Sequence, residues 1–153
     1  MNIRKACAED IPKLVELAMQ LQKIENSFSS RVICGHKTKE FFEMVFSKYL
    51  NDEDYIFLVA EEENIIGLAF GWKENIHPVY ENEFVGYIAD VIVDEKERGK
   101  WIGKELTRQL EEEFKKMGLK ETKLIVQKDN KKAHKLWEKL GYEDLYIEMR
   151  KDL

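Results

Sequence analysis

The run Val91-Ile92-Val93-Asp94-Glu95-Lys96-Glu97-Arg98-Gly99-Lys100-Trp101-Ile102-Gly103-Lys104 carries a β-branched strand pattern through a charged turn straight into a helical one. The first turn of such a helix holds main-chain N–H groups with no partner inside the helix, and its dipole favours negative charge there. Gly99 and Gly103 let backbone approach a ligand closely, while Arg98, Lys100 and Lys104 add cations. These residue types suit a diphosphate held on the main chain from Arg98 through Lys104, with Trp101 and Ile102 in the same loop. A basic helix start with two capping glycines has the same sequence, because an isolated glycine motif is weakly specific.

Side chains able to move a proton are Glu81, Glu83, Tyr87, Asp90, His134 and Tyr142. Asp90 and Glu83 are the favoured catalytic carboxylates, although Asp90 equally suits bracing a sheet and Glu83 a loop rim. Cys7 and Cys34 form no CxxC pair and read as ordinary reduced thiols. His36 and His77 stand alone without carboxylates at ligand spacing, so no metal is expected.

Elements must position these groups. Ile3 to Ala6 reads as a short strand, and Glu9-Asp10-Ile11-Pro12 opens an amphipathic helix with Leu14, Leu17, Ala18 and Leu21 at helical spacing. A polar loop is expected around Asn26 to Ser30, then a helix from Thr38 to Leu50 bearing Phe41, Phe42, Val45, Phe46 and Tyr49. Tyr55 to Ala60 and Ile65 to Trp72, split by an acidic turn, read as a hairpin, and Phe84 to Val93 as the longest strand. Ile102 to Met117 is a helix closed by Gly118, Lys123 to Gln127 a strand, Asn130 to Leu140 a helix stopped by Gly141, and Tyr142 to Met149 a last strand or hairpin. The order βααβββαβαβ requires antiparallel pairing early and a parallel crossover late. The expected class is α/β of the α+β type, a mixed and mostly antiparallel sheet of six to seven strands with four helices on its faces.

Residues 1–153 with 44% hydrophobic content suit one domain. Charged residues make up 36% of the chain, mixed in sign, and the net charge of −5 argues against nucleic acid as a partner. No window is apolar enough for a membrane span and the N-terminus lacks a secretion signal, so a cytoplasmic location without a membrane partner is expected.

The Arg98–Gly103 loop resembles the acetyl-CoA loop of the GNAT superfamily, with Arg98 and Gly103 in its first and last positions and Trp101 where the family has a glycine. Asn130-Lys131-Lys132-Ala133-His134-Lys135-Leu136-Trp137-Glu138-Lys139-Leu140-Gly141-Tyr142 is similar to the family's later motif, and Ile3-Arg4-Lys5-Ala6 with Glu9-Asp10 and Glu148-Met149-Arg150-Lys151-Asp152-Leu153 to its termini. The resemblance implies a GNAT fold and acetyl-CoA as co-substrate, wedged between a central splayed parallel pair, Phe84 to Val93 and Lys123 to Gln127. It further implies main-chain contacts from Val91 and Val93 to the pantetheine arm, from Arg98 through Lys104 to the diphosphate, and from Asn130 to the pantetheine region.

The activity implied is direct acetyl transfer to a primary amine, with a small molecule, a cationic one included, or a protein as the alternatives for its bearer. An amine with a pKa of about 10.4 must first lose a proton. Two departures bear on that step: the tyrosine the family often uses as acid is Trp137 here, and the glutamate it often places before an aspartate is Ala89, before Asp90. They leave a second reading, a CoA-binding regulatory module without turnover. A homodimer through sheet or helix contacts is also implied by the resemblance.

Overall fold

The computed structural model describes residues Met1–Leu153. In chain order the elements are β1 (Asn2–Lys5), α1 (Ile11–Phe28), α2 (His36–Tyr49), β2 (Tyr55–Glu61), β3 (Ile65–Asn75), β4 (Phe84–Val93), α3 (Ile102–Lys116), β5 (Thr122–Lys123) and α4 (Lys131–Lys139), with short 3-10 turns at Ala8–Asp10 and Glu95–Glu97. The five strands form one sheet in the order β1-β2-β3-β4-β5. All neighbours are antiparallel except β4 and β5, which are parallel.

The apolar run of β2 follows from burial on both sides. Phe57 and Val59, with Leu68, Phe70 and Ile92, pack under α1 and α2 against Leu14, Leu17, Phe42 and Phe46. Ile56, Leu58 and Ala60, with Ala69 and Ile88, pack under α3 against Ile102, Leu106, Leu110 and Phe114. The first core is aromatic at its centre: Phe46 is fully buried with its ring 5.4 Å from Phe57 and 5.5 Å from Phe70. Burying such a side chain contributes about 1.5–3 kcal/mol.

One irregularity in β4 matters for function. Phe70 pairs with Asp90 but Gly71 pairs with Ile88, so Ala89 is an extra residue in the ladder, a β-bulge. It reverses which residues face which core. Before it, Phe84 and Ile88 belong with the α3 core, whereas after it Val91 and Val93 do and Ile92 turns to the α1–α2 core. Asp90, two residues from Ile92 on the same strand, therefore faces α1 and α2.

Four expectations need correction. The sheet has five strands rather than six to seven. The strand expected over Lys123 to Gln127 is only Thr122–Lys123, and Tyr142 to Met149 forms no strand. Leu145, Ile147 and Met149 carry the alternating pattern but are exposed, because β5 stops too early to offer them an edge to pair with. The polar loop expected at Asn26 also yields to helix: Ile24 packs on the first core and extends the spacing of Leu17 and Leu21, carrying α1 on to Phe28.

Candidate functional site

β4 and β5 pair at only two positions, Gly86 with Thr122 and Tyr87 with Lys123. From Ile88 to Val93, β4 therefore has no strand beside it on that edge. At its far end the chain turns through Asp94, whose side chain accepts from the Lys96 N–H at 3.2 Å, and enters α3. A gap in the sheet thus leads to the start of a helix.

The leading end of α3 is open. No main-chain N–H from Arg98 through Lys104 donates to an acceptor in the chain, and the first bond of the helix is Glu105 N–H to the Trp101 carbonyl at 3.1 Å. Gly99, with φ of 86°, and Trp101, with φ of 64°, are left-handed, and Trp101 is the only non-glycine residue that is. A left-handed residue next to a right-handed one turns successive N–H groups toward one concavity, a geometry that binds anions, and Trp101 stands so before Ile102, the first residue of α3. At Trp101 this geometry costs about 1–2 kcal/mol. An added Cβ on Gly103 would lie 3.6 Å from Val93 Cγ2, so the first helical turn rests directly on the end of β4. These unsatisfied donors, the helix dipole and the glycine-lined approach fit a diphosphate.

The loop cations are placed less simply than their number suggests. Arg98 Nε donates to the Val93 carbonyl at 3.0 Å and Lys100 pairs with Glu97 at 2.6 Å. Lys104 Nζ lies 5.6 Å from the centroid of the Trp101 ring. Main-chain donors, more than free side chains, make the site attractive to an anion. Ile102 is buried in the α3 core and contributes its backbone alone. A hollow of about 500 Å³ that shares Asp94 and Glu97 of this connection, with Lys13, Glu61 and Glu63, has the wrong charge for a phosphate.

Across the gap, Asn130 is buried and caps α4, its side-chain oxygen accepting from the Ala133 N–H at 3.1 Å. Its amide, with that of Gln127, lies beside the carboxyl of Glu25 on α1 and stabilises its charge against burial, which pushes that carboxyl up. Asp90 is half-buried on the α1–α2 side of β4. Burial first, and the charge of Glu25 second, push it up to about 6. A carboxylate poised there can accept a proton near neutral pH. Glu25 is the group that sequence reasoning missed, being placed by a helix that continues beyond the expected loop.

The other candidates are dispersed. Glu83 and Glu81 are exposed on the β3–β4 connection, and seven strand residues at about 3.3 Å each put Glu83 roughly 20 Å from Asp90. Tyr87 tilts onto Trp72 at 4.6 Å, and its hydroxyl is pushed up by burial and by Glu74 and Asp90. Tyr142 donates to Glu111 at 2.8 Å and meets Thr122 at 3.0 Å, and burial raises it far out of the range of a working acid. Trp137 packs edge-on against Tyr142 at 5.3 Å. His134 Nε2 lies 2.8 Å from Asp144 at the surface. No three His, Cys, Asp or Glu side chains converge as metal ligands, and no helix is long and apolar enough to cross a membrane.

The model of the acetyltransferase (GNAT) family matches residues 19–142. No curated protein matches the chain significantly. Among solved structures, a tetramutant of a Bacillus halodurans protein superposes with a TM-score of 0.84 at 21% identity, covering 100% of both chains. A predicted acetyltransferase with acetyl-CoA from Clostridium acetobutylicum gives 0.80 at 23%, covering 97% of this chain and 95% of its own. Glucosamine-6-phosphate N-acetyltransferase from Arabidopsis thaliana gives 0.73 at 29%, covering 99% and 97%.

Proposed function

This chain belongs to the GNAT acetyltransferase family, and from that premise we propose that it transfers acetyl from acetyl-CoA directly to a primary amine, with Asp90 receiving the proton. The family's use of acetyl-CoA suits the open donors of Arg98 through Lys104 at the end of the β4–β5 gap, and that observation carries the reading. Val91 and Val93 line the free edge of β4 for the pantetheine arm and Asn130 stands opposite.

The amine arrives as an ammonium. One proton passes to the Asp90 carboxylate and on to solvent, the freed nitrogen attacks the thioester carbonyl, and the N–C bond forms as the C–S bond breaks. The second proton lost by nitrogen ends on the departing thiolate. The position of Asp90 and Glu25 on the α1–α2 face supports an acceptor bound on that side, opposite the α3 face that carries the loop. Two carboxyls on that face favour a cationic amine. The Arabidopsis neighbour, named for an amino sugar, supports a small molecule over a protein as acceptor. Glu83 serves at most as a distant rim charge.

Trp137 and Ala89 favour a second reading, a CoA-binding module without turnover, since neither can transfer a proton. Calorimetry with acetyl-CoA followed by release of free thiol in the presence of an amine panel separates the two. Binding with turnover supports the enzyme, binding without turnover the module, and absence of binding overturns both.

A further inference from the structure

Trp101 breaks two local rules at one position. It is the only non-glycine residue with a left-handed backbone, and it occupies the N-cap of α3, where its side chain makes no capping hydrogen bond. Packing returns nothing for this, since the residue is 74% exposed and stacks on no other ring. Its one notable neighbour is Lys104, the only one of the loop's three cations without an oxygen partner in the chain. Strain without internal compensation concentrates where a ligand supplies what is missing.

We propose that Trp101 and Lys104 form a clamp for the adenosine 3′-phosphate end of the CoA nucleotide. The purine stacks on the free face of the indole, and the Lys104 ammonium, held near the other face, reaches the 3′-phosphate. A flat exposed π surface beside an unpaired cation, immediately next to donors suited to a diphosphate, matches a ligand bearing a base and a further phosphate on that diphosphate. The loop then recognises the nucleotide and not only the diphosphate. This rests on acetyl-CoA binding at the loop.

The test is calorimetric titration of the whole chain and of Trp101→Gly, Trp101→Phe and Lys104→Gln with acetyl-CoA, acetyl-3′-dephospho-CoA and acetyl-4′-phosphopantetheine, with tryptophan fluorescence followed in parallel. Trp101→Gly is expected to weaken acetyl-CoA roughly tenfold and leave the phosphopantetheine thioester unchanged, while its ligand-free melting temperature rises as strain is released. Lys104→Gln should weaken acetyl-CoA but not the 3′-dephospho form. Trp101→Phe should retain most affinity and lose the adenosine-dependent fluorescence quench. If Trp101→Gly binds acetyl-CoA as tightly as the parent or more tightly, the clamp is wrong while the acetyltransferase reading stands. If the parent binds none of the three ligands, both fall.

Discussion

The ring of Phe114 fills the space above Gly86 that a side chain would need, so that a Cβ built there would stand 2.5 Å from the ring's Cδ2. α3 is seated on the sheet through this contact, next to the position where β4 meets β5. Gly86→Ala must push Phe114, which is 1% exposed, out of its place. A loss of about 2–3 kcal/mol is expected from overpacking, and denaturant unfolding of the variant measures it.

Asp90→Asn should abolish most activity and yet stabilise the fold. Because the native carboxyl titrates at about 6, above its ordinary 3.8, the folded state holds a proton that the unfolded chain has released. Stability therefore falls as pH rises from about 4 through 6. Removing the charge should return about 1–2 kcal/mol at pH 7. In the parent, kcat/KM should rise with pH through about 6, and Glu25→Gln should move that limb downward; a limb unmoved by Asp90→Asn would assign the base elsewhere.

Tyr142→Phe separates a proton donor from a brace. The hydroxyl ties Glu111 of α3 to Thr122 of β5. Its removal should cost about 1 kcal/mol or slightly more in stability and leave kcat near its parent value. A hundredfold fall in kcat with an unaltered melting temperature would instead make it the acid.

Asp10 sets the acid limit of the fold. Arg4 donates to it at 2.7 and 3.2 Å and the Cys7 N–H at 2.9 Å. These bonds, that of Arg4 foremost, lower the carboxyl from 3.8 to about 2. Its contribution is whole above about pH 4 and is lost as pH falls toward 2. Asp10→Asn should lower neutral-pH stability by about 2 kcal/mol and flatten the acid limb of a pH-dependent melting series.

Sequence periodicity located β4 and the start of α3 because each is long and its pattern is local, a β-branched run over Phe84 to Val93 and helical spacing from Ile102. The glycines and open helix start of the Arg98–Lys104 loop were legible for the same reason, being local features. The bulge at Ala89 was not, since it exists only in register with Phe70 and Gly71. Glu25 was hidden behind Asn26 and Ser27, which look like a loop until Ile24 is seen packing on the core. Leu145, Ile147 and Met149 show the opposite failure, a strand pattern with no strand to meet it.

The parallel ladder between β4 and β5 spans only two residue pairs, so the last strand is joined to the sheet by a short seam rather than a long one. Parting it breaks few main-chain bonds. The seam can therefore open without global unfolding, and the amide of Gly86, which donates across it to the Glu121 carbonyl at 2.9 Å, should exchange with solvent faster than those of β2 and β3 at the centre.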